Sequence, residues 1–264
     1  MQLMKRSLPM SDHEYHQSKR RTRTIEEFET KGRRSFVTGL LALGLSGSGI
    51  AVLSRHRGEG DSIPGPLRSV HDFNAAIWHT LYSPDRLSPT FDPSEAEPIR
   101  VNGRHGVREE IDLDAWTLEI VGPAGDTLDI LDIDDIKALP FEEMTTEHKC
   151  VEGWSAIVTW GGTAFPNLAA LYPEAAEADY VNMRTPDGIY EVSIDRESML
   201  HPQSLLAWEL NNEPLTQLHG APLRLAMPHK YGIKQIKRIG RLEFSNVRGP
   251  DYWEIRGYDW FAGL

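Results

Sequence analysis

From Ala115 onward, apolar and polar positions change in short runs broken by Gly, Pro, Asn and Asp. Trp116, Leu118 and Ile120 alternate with polar neighbours, the period-two signature of a half-buried strand, and Gly122-Pro123 ends it. Leu128 to Leu131 is expected to form a second short strand. Asp132 or Asp134 can then cap a helix that runs through Ala138 and stops at Pro140, because proline lacks the N–H a helix interior needs. Glu142 to Cys150 reads as another strand, and Gly161-Gly162 and Pro166 read as punctuation before a helix over Asn167 to Tyr172. Tyr180 to Arg184 and Ile189 to Ile194, joined at Pro186-Asp187-Gly188, predict a hairpin. Asp195 caps a short helix reaching Leu200. Strands over Leu205 to Leu210, Leu223 to Met227 and Ile236 to Phe244, with a turn at Asn211-Asn212-Glu213-Pro214, complete the pattern. Many short strands with few short helices predict an α+β domain on mixed or antiparallel sheet.

Upstream the pattern is different. Residues 58–110 contain Pro64, Pro66, Pro84, Pro89, Pro93 and Pro98 and read as an extended arm, within which Phe73-Asn74-Ala75-Ala76-Ile77-Trp78 is apolar enough to dock on the body. Charge divides the chain further. Residues 1–57 hold 11 Lys/Arg against 5 Asp/Glu, whereas residues 58–264 hold 17 against 34. The organisation expected is therefore a basic address at 1–57, an arm at 58–110 and an acidic folded body at 111–264. An acidic body disfavours a nucleic-acid partner, since phosphate binding needs a broad basic face.

The address has a recognisable form. Arg33-Arg34-Ser35-Phe36 precedes a Gly-spaced apolar run from Gly39 to Leu53, the arrangement of a twin-arginine export signal. As a helix that run spans about 23 Å, short of the roughly 30 Å hydrocarbon core, so a signal is favoured over a permanent span. Export to the periplasm or another extracytoplasmic space follows, with retention as an uncleaved membrane anchor the alternative, since Arg55 and Arg57 resemble a stop-transfer flank.

Two stretches carry candidate chemistry. Cys150, in Lys149-Cys150-Val151-Glu152-Gly153-Trp154-Ser155, is the single cysteine of 264 residues, so an internal disulfide is excluded. Core packing, metal ligation, nucleophilic attack and oxidation all remain open for it. Residues 222–248 hold seven basic residues, Arg224, Lys230, Lys234, Lys237, Arg238, Arg241 and Arg248, against the single acid Glu243. In an otherwise acidic body this suits a bound anion such as a terminal phosphate, with Gly232 offering an approachable backbone N–H; a solvated strand face is the competing reading, above all for Lys237, Arg238 and Arg241. The dinucleotide and P-loop glycine signatures, the zinc-protease helix motif and paired C-x-x-C are all missing from the sequence.

Together, Cys150-Val151-Glu152-Gly153-Trp154-Ser155, His219-Gly220-Ala221-Pro222-Leu223-Arg224 and Lys230-Tyr231-Gly232-Ile233-Lys234 resemble the sulfite oxidase family of molybdopterin enzymes. Within it the nearest likeness is to the exported molybdenum-dependent methionine-sulfoxide reductases. The resemblance implies a mixed-sheet α+β molybdopterin-binding domain, Mo-molybdopterin as cofactor, and Cys150 as the thiolate ligand of molybdenum, a soft donor suited to a metal already held by a dithiolene. It also implies cofactor contacts at Asn74, Thr185, His219 and Arg224, with Gly232, Ile233 and Lys234 forming the phosphate-holding turn. The activity implied is oxygen-atom transfer on a small-molecule substrate, by sulfoxide reduction or sulfite-type oxidation, with electrons exchanged through a membrane haem protein or soluble cytochrome. The residues alone leave a second function open, an exported module that binds a small anion without redox chemistry.

Overall fold

The computed structural model describes Val70 and residues 73–77, 80–83 and 85–264. The arginine pair, the apolar run behind it and Trp78 lie outside the described residues. Two five-stranded sheets organise the rest. One contains β1 (Leu118–Val121), β2 (Thr127–Leu131), β5 (Tyr180–Arg184), β6 (Glu191–Asp195) and β10 (Arg241–Ser245), in the order β2-β1-β10-β5-β6. The other contains β3 (Glu142–Lys149), β4 (Ser155–Ala164), β7 (Leu205–Leu210) and β8 (Glu213–Pro214) in that order, with β9 (Arg224–Ala226) also paired to β7. The β1–β10 pair is parallel and its neighbours in that sheet are antiparallel, so the α+β, mixed-sheet expectation holds. Among the described residues no helix is long and apolar enough to cross a membrane.

Local signals account for most boundaries. Helix α1 (Ile133–Lys137) starts at Asp132: the Asp132 carboxylate accepts from the Asp134 and Asp135 N–H groups at 2.8 and 2.9 Å, and Asp135 accepts from the Asp132 N–H in return. Helix α3 (Arg196–Met199) is capped by Asp195 as expected, through Ser198 N–H at 2.8 Å. Several boundaries differ from the sequence pattern. β4 runs straight through Gly161-Gly162 for ten residues, and α2 (Phe165–Ala169) begins at Phe165, with Pro166 inside its first turn, where a missing N–H costs nothing. Gly162 is a close-approach residue, not a stop: a Cβ there would lie 2.1 Å from the Leu206 carbonyl oxygen, and the β4–β7 register shifts between Gly161 and Gly162. The expected strand over Ile236 to Phe244 is confined to β10. Arg238 is at φ 52°, and the Arg238 and Ile239 N–H groups bond back to the Gly220 and Leu223 carbonyls, so this basic stretch is a buried loop without alternating faces.

The first four residues of β7 are buried on both faces of the second sheet, which is why Leu205-Leu206-Ala207-Trp208 reads as a continuous apolar run. Leu206, Trp208 and Leu225 enter a core shared with Leu118, Ile120, Met183, Val192 and Phe244 of the first sheet. Leu205, Ala207 and Ala226 face the other way, onto Val158 and Trp160, beneath Ile99 and Leu113 of the arm and the segment after it. Each such side chain removed from water contributes about 1.5–3 kcal/mol. The arm is held by backbone: Thr90 bridges Thr146, Phe91 N–H donates to the Thr145 carbonyl at 3.0 Å, and Glu97 N–H donates to the Ile157 carbonyl at 2.9 Å. The helical residues 73–77 do not dock as expected, since Phe73 and Ile77 remain 65% and 40% exposed.

Candidate functional site

The β3–β4 connection is a tight loop from Cys150 to Trp154. Cys150 N–H donates to the Trp154 carbonyl at 2.9 Å, Gly153 N–H donates to the Cys150 carbonyl at 3.0 Å, and Gly153 sits at φ 85°, where a side chain would be strained. The loop sets Cys150 in the wall of a cleft whose lining includes Asn102, His148, His219, Arg224, Gly232 and Lys237. The thiol is buried, and the Asn102 Nδ2 donates to its Sγ at 3.5 Å. These groups come from the arm, the end of β3, the start of β9 and the loops around 219 and 232–237, so both the second sheet and its crossovers build the site.

The cleft is electropositive. Arg224 is 3% exposed and lies over Trp160, 4.5 Å from the ring centre. It donates to the His219 carbonyl at 3.0 Å and to the Gln235 carbonyl at 3.3 Å, both neutral acceptors. Burial pushes its guanidinium down to about 10. Lys237 donates to the Asn102 and Gly103 carbonyls at 2.7 and 3.0 Å, and burial, with Arg224 nearby, brings its ammonium down to about 7. His148 is driven to about 4 by burial first and Arg224 second, so its ring is neutral. Glu152, the acid lining this cleft, is exposed and already pairs with Arg100 at 2.7 Å. Buried Arg224 and half-buried Lys237, neither paired with a carboxylate among the described residues, favour an anionic occupant, because burial of a charge is costly until it is paired. Backbone access is also built in. A Cβ on Gly232 would lie 2.9 Å from His148 Nε2, so only glycine leaves this approach open.

Of the residues proposed from sequence, Cys150, His219, Arg224, Gly232 and Ile233 meet in this cleft. Three do not line it. Asn74 is exposed in the helical stretch 73–77, and Asn102 of the arm is the asparagine beside the cysteine. Thr185 is buried behind the wall: its hydroxyl donates to Asp187 at 2.6 Å and accepts from the N–H of Tyr190, which does line the cleft. Lys234 turns away into the core, where its ammonium meets Asp251 at 2.5 Å and the Ser193 carbonyl at 3.0 Å, so its charge is compensated inside the protein. The basic stretch divides accordingly. Arg224 and Lys237 enter the cleft, Lys230 lies 3.7 Å from Asp195, Arg241 pairs with Glu119 and Glu243, Arg248 pairs with Glu254, and Arg238 bonds to the Glu109 and Ala221 carbonyls.

Asn102, His148 and Lys237 are among the lining residues that sequence reasoning missed or discounted. Asn102 sits in the arm, far from the motifs. His148 carried a usable signal, since residues two apart on an extended chain share a side and His148 precedes Cys150 by two.

Comparison with known proteins places this cleft in context. The model of the oxidoreductase molybdopterin-binding domain family matches residues 105–253. The chain is 33% identical over 242 residues to a protein of Azospira oryzae named as the protein-methionine-sulfoxide reductase subunit YedZ1, covering 89% of each sequence. It is 33% identical over 174 residues to YuiH of Bacillus subtilis, named as an uncharacterised oxidoreductase, covering 66% of this chain and 86% of that one. Among solved structures, the sulfane dehydrogenase SoxCD of Paracoccus pantotrophus is similar at a TM-score of 0.46 and 20% identity, over 53% of this chain and 40% of its own.

Proposed function

Because the chain belongs to the oxidoreductase molybdopterin-binding domain family, we propose that it transfers an oxygen atom to or from a small-molecule substrate, with Cys150 as a ligand of its molybdenum. It is an oxidoreductase, and its cofactor is Mo-molybdopterin. When bound, that group supplies two-electron redox chemistry at a centre able to take or give oxygen. The residues present fit it. One cleft joins a buried thiol, two basic side chains without carboxylate partners among the described residues and a glycine that opens the backbone to a ligand. That combination is the observation carrying the proposal.

Each residue has a distinct task. Arg224 and Lys237 bind the anionic end of the cofactor, and both are oriented beforehand by backbone carbonyls, which lowers the ordering cost of binding. Cys150 offers a soft donor, and Asn102 orients the sulfur. The Arg100–Glu152 pair and Trp154, whose ring lies 4.4 Å from the Arg100 guanidinium carbon, line the more exposed part of the cleft. Sulfoxide reduction is the favoured direction, supported by the name of the Azospira oryzae relative. In that direction a sulfoxide, two electrons and two protons give a thioether and water. Electrons then come from a partner of the membrane haem or soluble cytochrome class. Protein made in a molybdopterin-competent host is expected to consume one sulfoxide for every two electrons withdrawn from a reduced viologen dye. Full molybdenum content without turnover of methionine sulfoxide or sulfite would reject oxygen-atom transfer.

Export through the twin-arginine route to an extracytoplasmic site belongs to the same proposal, on the strength of Arg33-Arg34-Ser35-Phe36 before the apolar run. Replacing both arginines with lysine preserves charge but removes the paired guanidinium forks. The doubly substituted protein is expected to accumulate in the cytoplasm, as fractionation and immunoblotting would show; unchanged export would defeat the signal assignment.

A further inference from the structure

We propose that His148 holds the molybdopterin by accepting a hydrogen bond at its Nε2 from an N–H or O–H group of the cofactor. The tautomer of this ring is dictated by Gln235. The Gln235 amide nitrogen lies 3.1 Å from the Met227 carbonyl and 3.0 Å from the Lys230 carbonyl. Two carbonyl oxygens can be met only by an NH2 group, so the other amide atom, Oε1, is the acceptor. His148 Nδ1 lies 3.1 Å from that Oε1 and must therefore carry the ring proton. A second proton is disfavoured in a buried ring that shares its cleft with Arg224 and Lys237, so Nε2 is left with a lone pair. It lies beside Gly232 on the cleft side of a buried ring whose tilt is fixed by Trp154 and Trp160 at centroid distances of 5.8 and 6.2 Å.

Nε2 has no hydrogen-bond partner among the described residues. His219, the other histidine expected at the cofactor, is in the opposite situation: its Nε2 donates to the Ile99 carbonyl at 3.3 Å and its Nδ1 accepts from the Thr216 hydroxyl at 2.9 Å. Both of its nitrogens are used within the protein. His219 therefore shapes the wall, and His148 keeps an unused acceptor there. A lone pair among cations selects for a donor, and in this cofactor the donors are the pterin N–H groups and a protonated phosphate oxygen. Ionised phosphate oxygens and dithiolene sulfurs only accept.

The inference rests on molybdopterin occupying this cleft and is independent of Cys150 as ligand. Its test is nitrogen NMR on protein and cofactor labelled together with nitrogen-15, compared between cofactor-free and loaded forms. In the cofactor-free protein the His148 Nε2 resonance is expected in the unprotonated range, and loading is expected to move it upfield. A nitrogen–nitrogen coupling across the new bond identifies a pterin N–H as donor, and a shift without coupling identifies an O–H. Folded His148→Phe is expected to release molybdenum and pterin roughly tenfold faster on desalting, the effect of one lost hydrogen bond. A loaded wild-type protein with an unmoved Nε2 signal, or folded His148→Phe with the wild-type release rate, overturns the proposal. A wild-type protein that never loads the cofactor in this cleft defeats both readings, which separates the two failures.

Discussion

Cys150→Ser is expected to yield a folded, largely cofactor-loaded protein with an altered visible spectrum and little turnover. The structural part of the expectation follows from size and setting. The side chain is buried in the cleft wall, the replacement oxygen is slightly smaller than sulfur, and the loop geometry comes from backbone bonds between Cys150, Gly153 and Trp154 that the substitution leaves intact. If the residue only packed, the cost would be about 1 kcal/mol, with activity retained. If it ligates molybdenum, a harder and more basic oxygen replaces a soft sulfur, which alters the absorption and the reduction potential of the centre. Arg224, Lys237 and Gly232 are untouched, so the cofactor should stay. The two readings thus differ in colour and turnover and not in folding. Metal content, absorption and turnover measured on one preparation distinguish them, and a serine variant with wild-type absorption and turnover would remove the ligand assignment.

The second large effect is expected at Arg224. Truncation to alanine removes a buried cation from beside the cofactor's anionic end, and leaving one member of a buried charge pair alone typically costs several kcal/mol. Molybdenum content after purification should fall well below the wild-type level. The guanidinium also ties His219 and Gln235 together and covers Trp160, so some loss of stability accompanies the loss of cofactor. Arg238→Ala supplies the comparison. Arg238 is equally buried and bonds to the Glu109 and Ala221 carbonyls but does not line the cleft, so its loss should lower the unfolding midpoint with less effect on molybdenum bound per folded chain. Full molybdenum content in Arg224→Ala would return the arginine to a purely structural role.

The neighbouring lysines show how much of a charge cluster is decided by packing. Lys230, Lys234 and Lys237 are spaced within eight residues, yet Lys234 is satisfied by Asp251 and Lys230 lies near Asp195, while Lys237 has carbonyls as its partners among the described residues. Those two carboxylates sit on β6 and in the segment after β10, distant in sequence from one lysine or the other. No count of local charge identifies which cation keeps its charge available. The same holds for Asn102, which reaches the cysteine only because the arm crosses the second sheet through bonds from Phe91 and Glu97.

Short-range physics was legible throughout. The Asp132 and Asp195 caps, the β5–β6 hairpin and β7 follow from side chains bonding to nearby backbone and from apolar spacing, which depend on a few adjacent residues. The sequence by itself also determined the α+β class, which lies in the spacing of apolar positions, and it carried the three ordered motifs whose resemblance pointed to the family. Only the tertiary structure decided that Gly161-Gly162 continues a strand, since its reason is the Leu206 carbonyl of another strand pressing on Gly162. Only the tertiary structure selected Arg224 and Lys237 from seven basic residues and left His148 with an open nitrogen, because burial and hydrogen-bond satisfaction are set by partners that the chain brings together from far apart.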